Sequence, residues 1–184
     1  MKKIVITYGV ISGVIIIGSM ILSLSIGDAS SDSMQIRKVL GYLVMIIGLS
    51  LIFVGSKKYR DQELGGIISF KTALKVGLGI ALVASLIYIV AWEINLLATD
   101  YAFINEYVDA SIQEAKDSGL SEEKLNDIIA SLEEMRVQYA KLWYRLPLTF
   151  IEIFPVGIII SLISAGLLQN SNILPAKKRQ PIEE

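Results

Sequence analysis

Strongly apolar runs recur along the chain, and four of them are long enough to form membrane-spanning helices. They occupy residues 4–26, 39–56, 69–96 and 146–168. The first run holds 23 residues without a charge, and as a helix of about 35 Å it exceeds the roughly 30 Å hydrocarbon core of a bilayer. The fourth contains Pro147 and Pro155, which predict a kink. The pattern therefore predicts four transmembrane helices.

Lys2 and Lys3 precede the first run and would also suit the start of a signal peptide. The run is longer than the roughly 7–15 apolar residues usual in a signal peptide, however, and no convincing cleavage site of small residues follows it. We therefore interpret residues 4–26 as a signal-anchor helix that stays in the protein.

A polar stretch, residues 97–145, separates the third and fourth runs and has a helical pattern of its own. Alternating spacings of three and four, typical of a helix that packs against a partner helix, connect Leu125, Ile128, Leu132, Met135, Tyr139 and Leu142. An earlier helix is expected over residues 101–117, with Gly119 closing it and Ser121 as the N-cap of the next. The stretch predicts a helical hairpin whose second helix runs into the fourth span, with a bend at Pro147.

The basic residues are unevenly distributed about the four spans. Ten lie at the N-terminus, between spans two and three, and in the C-terminal tail, where Lys177, Lys178 and Arg179 would contact anionic lipid. Seven lie on the opposite side, and five of these belong to the hairpin, which also carries ten acidic residues. Because basic residues near span ends favour the cytoplasm, we expect both termini to be cytoplasmic and the hairpin to be extracytoplasmic.

These patterns together predict an all-α fold, a four-helix transmembrane bundle with an extracytoplasmic helical hairpin between spans three and four. We expect a single membrane domain over residues 1–184, with the hairpin as an insertion at residues 97–145 and a cytoplasmic tail at residues 170–184. The clustering of Tyr88, Trp92, Tyr101, Trp143 and Tyr144 near the outer ends of spans three and four supports these boundaries.

Composition narrows the classes of function. Cysteine and histidine are both absent, which removes thiolate nucleophiles, imidazole bases and the usual zinc and haem ligands. The 17 basic and 18 acidic residues nearly balance, so no basic excess points to nucleic acid. Gly65 and Gly66 lack the Gly-Lys-Ser/Thr of a phosphate loop and predict a flexible turn into the third span. We expect no enzymatic activity, no cofactor and no metal.

Glu93 and Glu152 are the carboxylates nearest to the hydrocarbon, and with Asn95 they form the candidate polar site. An ionisable group inside a bilayer is a functional hypothesis by default. The two acids could face each other on antiparallel helices and share a proton, since like charges in a low dielectric cannot both ionise easily. Alternatively, both are solvated carboxylates at the membrane interface.

Small residues recur at spacings of four and seven in every span and would let helix backbones approach closely. They are Gly9, Gly13, Gly41, Gly48, Gly55, Gly77, Ala81, Gly157, Ser161 and Ala165. Packing within one bundle and dimerisation both explain them, and we favour packing within the bundle.

The four-span layout and residues 65–77, GGIISFKTALKVG, resemble the bacterial membrane family named domain of unknown function 4199. The resemblance covers nearly the whole chain. It implies a bacterial inner-membrane protein, and it supplies no activity and no catalytic residues to transfer.

We therefore expect a multi-pass inner-membrane protein that acts as a structural, accessory or interaction component. The alternative is a small proton-coupled carrier or channel component that uses Glu93 and Glu152. The expected partners are the lipid bilayer and either another membrane protein or a second copy, but no nucleic acid.

Overall fold

The computed structural model describes residues 1–25 and 31–176, which form six α-helices and no strand. In chain order the helices are α1 (Lys2–Ser25), α2 (Ser31–Glu63), α3 (Phe70–Ala98), α4 (Ala102–Asp117), α5 (Glu122–Tyr139) and α6 (Leu142–Leu168). The four apolar runs lie in α1, α2, α3 and α6. The basic tail residues Lys177, Lys178 and Arg179 lie outside the described residues.

In the part of the chain that the structure describes, three helices are long and apolar enough to cross a membrane, namely Val39–Glu63 within α2, the whole of α3 and the whole of α6. Helix α1 is not one of these three, so the fourth span remains a prediction. The outer surfaces of the long helices, α1 included, are apolar. Val14 of α1, Ile47 of α2 and Ile151 of α6 are 59%, 61% and 63% exposed. Exposed apolar faces on long apolar helices are typical of a protein whose solvent is lipid.

Helices α2 and α3 form the centre of the bundle, since they pack against each other and each also packs against α1 and α6. The core between them contains Leu49 and Ile52 of α2, Val76 and Ile80 of α3, and Ile153 of α6, all buried. Lipid can solvate the apolar residues on the outer faces, so hydrophobicity does not decide which residues face inward. Close packing between the helices selects the inner face instead.

Small residues allow this close packing, as the sequence suggested. A Cβ added at Gly157 of α6 would lie 2.6 Å from the Cβ of Ala81 of α3, and one added at Gly77 would lie 2.9 Å from the Cβ of Ser161. Gly9 of α1 is equally close to Val83 of α3. The interpretation as packing within the bundle is confirmed at these positions. Gly41 is different, because a Cβ there would meet nothing within 4 Å.

The two helices expected in residues 97–145 are α4 and α5, which pack against each other. Ile104, Val108 and Ala115 of α4 and Tyr139 of α5 are buried. Gly119 has a φ of +67° in the turn that ends α4, and Ser121 occupies the N-cap of α5 without a side-chain capping bond. The stripe predicted for the second helix is wrong at one residue, because Leu142 belongs to α6 and is 55% exposed.

The expected continuous helix through Pro147 is also wrong. The chain breaks at Ala140 and Lys141, where Lys141 has extended backbone angles, and α6 continues through both Pro147 and Pro155. The side chain of Arg145 accounts for the break, because its guanidinium donates hydrogen bonds to the carbonyls of Tyr139 and Ala140. A cation that binds the last carbonyls of a helix stabilises its C-terminus.

The turn between α2 and α3 agrees with the prediction. Gly65 and Gly66 have φ angles of +67° and +97°, which glycine adopts without steric cost. Ser69 then caps α3, and its Oγ accepts a hydrogen bond from the backbone N–H of Thr72 at 3.3 Å. The third span therefore begins where the sequence placed it.

Candidate functional site

The last turns of α3 bring Trp92, Glu93 and Asn95 to the end of the bundle at which α4 and α5 lie. Glu93 retains 19% side-chain exposure and faces Arg145 in the first turn of α6. The two side chains form a bidentate ion pair, in which Arg145 Nε donates to Oε1 of Glu93 at 2.8 Å and Nη2 donates to Oε2 at 2.7 Å. Such forked pairs are stronger and more specific than single contacts.

Arg145 itself is almost completely buried, with 3% exposure. Its Nη1 donates to the carbonyls of Tyr139 at 3.2 Å and Ala140 at 2.8 Å. Its Nη2 also donates to the hydroxyl of Tyr101 at 3.4 Å. All five guanidinium N–H groups therefore have an acceptor, as a buried arginine requires. We refer to Arg145, Glu93, Tyr101, Tyr139 and Ala140 as the Arg145 cluster.

The turn between α3 and α4 adopts an uncommon backbone conformation to supply Tyr101. Asp100 and Tyr101 have φ angles of +49° and +57°, which non-glycine residues adopt only where other contacts compensate. The guanidinium carbon of Arg145 lies 5.1 Å from the centre of the Tyr101 ring, in range of a cation–π contact. This contact and the hydrogen bond to the Tyr101 hydroxyl are available to compensate for the strained turn.

An aromatic layer adjoins the Arg145 cluster. The indole N–H of Trp92 donates to the hydroxyl of Tyr139 at 2.8 Å, and both side chains are buried. Phe103 of α4 packs edge-on against Trp92 at 4.8 Å between ring centres. Burial raises the pKa of the Tyr139 phenol, so this hydroxyl stays neutral and accepts the indole hydrogen bond. One buried contact thus joins α3 to α5.

The structure does not bring Glu93 and Glu152 together as a carboxylate pair, because Arg145 occupies both oxygens of Glu93. Glu93 is also not the solvated interfacial acid of the alternative hypothesis. The sequence placed Arg145 outside the membrane and counted it only for orientation. Asn95 is half-buried, and its backbone carbonyl accepts bonds from Thr99. In the described part of the chain its side-chain amide forms no hydrogen bond.

Glu152 lies on the exposed face of α6. The hydroxyls of Tyr88 and Tyr139 are near it. Within residues 1–25 and 31–176 it has no hydrogen bond and no ion pair, and no three acidic side chains there come together to hold a metal.

A second buried arginine, Arg60, lies near the C-terminal end of α2. From the sequence it had served only to predict orientation. Arg60 is fully buried; its Nε donates to Asp61 at 2.7 Å and its Nη1 donates to the carbonyl of Ile173 at 3.0 Å. Its Nη2 donates to the carbonyl of Leu174, a residue with a φ of +50°. Lys57 forms an ion pair with Asp61 as well. The Arg60 cluster, comprising Arg60, Asp61, Lys57 and these two carbonyls, fixes the segment after α6 to the end of α2.

The charged groups of both clusters are engaged by partners within the protein. Every N–H of Arg145 has an acceptor, and both oxygens of Glu93 accept from its guanidinium. Each nitrogen of Arg60 donates at least one hydrogen bond. The geometry of both clusters is that of connections between segments of the chain. The Arg145 cluster connects four helices, α3, α4, α5 and α6, through the α3–α4 turn and the α5–α6 break.

The chain belongs to the family described as a protein of unknown function (DUF4199), whose model matches residues 7–170. The match confirms the resemblance that the sequence suggested, and it extends from α1 through the end of α6. Neither a curated protein nor a solved structure matches the chain.

Proposed function

We propose that this family member is a non-enzymatic component of a bacterial inner membrane that binds another membrane protein through the α4–α5 pair. In this proposal α1, α2, α3 and α6 all span the bilayer, and α4 and α5 form an extracytoplasmic hairpin. The observation that supports it best is the Arg145 cluster, in which Arg145 of α6, paired with Glu93 of α3, donates hydrogen bonds to the carbonyls that end α5 and to the Tyr101 hydroxyl just before α4. A hairpin held in this way is a rigid platform rather than a loose loop.

The case for a fourth span rests on α1 and its contacts. Its sequence contains 22 successive residues without a charge, and it packs along both α2 and α3. Those two helices are themselves long and apolar enough to cross a membrane. A helix of this composition, aligned with two spanning helices, is best solvated in the same hydrocarbon layer.

The exposed surface of the α4–α5 pair is acidic and could recognise a partner. Asp109 and Glu133 bind Arg136, but other acids of the pair, including Glu114, Glu123 and Asp127, are exposed. The apolar stripes are already used between α4 and α5. A partner would therefore be recognised by charge, and a basic extracytoplasmic surface is the complementary chemistry.

The alternative, a proton-coupled carrier or channel that uses Glu93 and Glu152, is less well supported. A shared proton requires two carboxylates in contact, whereas Glu93 is held by Arg145. An enzyme is a still weaker candidate, because a chain without cysteine and histidine lacks the common nucleophiles and bases.

Topology is tested by cysteine labelling, since the native chain contains no cysteine. A cysteine at Ser118, in the exposed turn after α4, should react with a membrane-impermeant maleimide in intact cells, or in spheroplasts where an outer membrane blocks the reagent. A cysteine at Ser171, in the exposed segment after α6, should react only after the membrane is opened. The reverse pattern would contradict the proposed orientation.

Partner binding is tested by a photo-crosslinking residue at the exposed Asn126 of α5 in native membranes. We expect a cross-link to one other membrane protein, which weakens at high salt and in the triple variant Glu114→Gln, Glu123→Gln and Asp127→Asn. The same photo-crosslinker at lipid-facing Ile159 of α6 serves as the matched control and should not capture that protein. Cross-links to a second copy alone, or proton-driven flux of a solute into proteoliposomes, would count against this function.

A further inference from the structure

Glu152 interrupts an otherwise apolar, exposed stripe of α6. The other exposed positions of this stripe recur at helical spacing and are Leu148, Ile151, Pro155, Ile159, Leu162 and Ile163. The buried face of the same helix is formed by other residues, such as Ile153 and Gly157. Glu152 is therefore exposed at the edge of the bundle, beside Tyr88 and Tyr139.

The length of α6 fixes the depth of Glu152. The helix contains 27 residues and is about 40 Å long, roughly 10 Å more than the hydrocarbon core. Glu152 lies about 15 Å from the helix start at Leu142 and about 24 Å from its end at Leu168. Even if all the surplus length projected from the start of α6, Glu152 would remain roughly 5 Å inside the hydrocarbon.

No cation is available to neutralise Glu152 among the described residues. The titratable groups that face it are the phenols of Tyr88 on α3 and Tyr139 on α5, and Tyr42 of α2 lies near Tyr88. On its own helix the nearest cation is Arg145, two turns away, and all of its donors are engaged. Phenols can donate a hydrogen bond but cannot supply a positive charge.

We propose that Glu152 is a proton-binding site in the membrane, a carboxylic acid that faces the acyl chains in its neutral form at neutral pH. An ionised carboxylate in hydrocarbon is expensive, and taking up a proton removes that cost where no cation can. Glu93 contrasts with it, because both oxygens of the Glu93 carboxylate accept hydrogen bonds from the guanidinium of Arg145. This inference depends on α6 crossing the bilayer, but it requires neither the external hairpin nor a partner.

The test uses carbodiimides, which react with a protonated carboxyl and differ in solubility. The purified chain in phospholipid vesicles is treated at neutral pH with apolar dicyclohexylcarbodiimide or with a water-soluble carbodiimide, and the modified residues are identified by peptide mass spectrometry. We expect the apolar reagent to modify Glu152, with labelling lost at alkaline pH and in the Glu152→Gln variant. Glu93 should stay unmodified. The water-soluble reagent should modify exposed acids such as Glu123 and leave Glu152 intact.

Several results would overturn the proposal. Modification of Glu152 by the water-soluble reagent would place this carboxyl in water, and a lack of reaction with the apolar reagent would show that it is ionised or covered. The Glu152→Asp variant, which keeps a carboxyl on the same face, should still be labelled by the apolar reagent. The experiment needs no partner, so its failure is distinguishable from a failure of the crosslinking experiment above.

Discussion

Replacing Arg145 with alanine is expected to lower the free energy of unfolding by about 3–5 kcal/mol, the usual cost of breaking a buried ion pair. The loss arises because Glu93, with 19% side-chain exposure, would retain a charge without its counter-ion, and the carbonyls of Tyr139 and Ala140 would lose their donor. Thermal unfolding in detergent, followed by circular dichroism, measures the effect. Fluorescence of the buried Trp92 should change at the same time, because the end of α5 would be released.

The matched control is Arg136→Ala, which removes an arginine from an exposed pair with Asp109. Its effect should be small, because exposed ion pairs are screened by solvent. A double variant, Arg145→Met with Glu93→Leu, should recover much of the lost stability by removing both charges together. If Arg145→Ala were no more destabilising than Arg136→Ala, the Arg145 cluster would not hold the hairpin in place.

Replacing Arg60 with methionine is expected to release the segment that follows α6. This arginine is fully buried, and its hydrogen bonds to Asp61, Ile173 and Leu174 are the charged type worth about 1.5–3 kcal/mol each. Because Asp61 keeps its bond to Lys57, only the two bonds to carbonyls are counted, and at the low end of this range they give a loss of about 3 kcal/mol. Limited proteolysis of the solubilised protein should then cut after α6 at protease concentrations that leave the unmodified chain intact.

Two further variants separate charge from geometry at this site. Arg60→Lys keeps the positive charge but cannot reproduce a planar fork that reaches two carbonyls and a carboxylate, so it should be cut nearly as fast as Arg60→Met. Lys71→Met removes an exposed basic residue near the start of α3 and should behave as the unmodified chain does. Protection of Arg60→Lys equal to that of the unmodified chain would show that charge alone fixes the segment.

The candidate site illustrates where reasoning from sequence was insufficient. Glu93 was identified because carboxylates near hydrocarbon are uncommon, yet Arg145 was assigned to the loop because it lies just before an apolar run. One signal for this pair was present in the sequence. Spans three and four were expected to be antiparallel, so a basic residue at the start of the fourth would lie level with an acidic residue at the end of the third.

Arg60 could not have been recognised in this way. Two of its three acceptors are backbone carbonyls more than 100 residues later in the chain, and a carbonyl is present at every position of any sequence. The same reason explains the wrong prediction for the second helix of residues 97–145. Helical periodicity continued across Ala140 and Lys141, whereas a guanidinium from the next helix ended α5 there.

What the sequence determined by itself is the set of helices and their apolar faces. Hydrophobic runs, glycine turns and the Ser69 cap act over a few residues, so the start of α3, the end of α4 and the start of α5 were located closely. Tertiary structure alone decided which polar groups meet. Arg145 contacts Glu93 and two carbonyls, whereas Glu152 lies on the outer face of α6. The reason is that the rotation of α6 about its axis is set by close packing of Gly157 on Ala81 and not by any local preference.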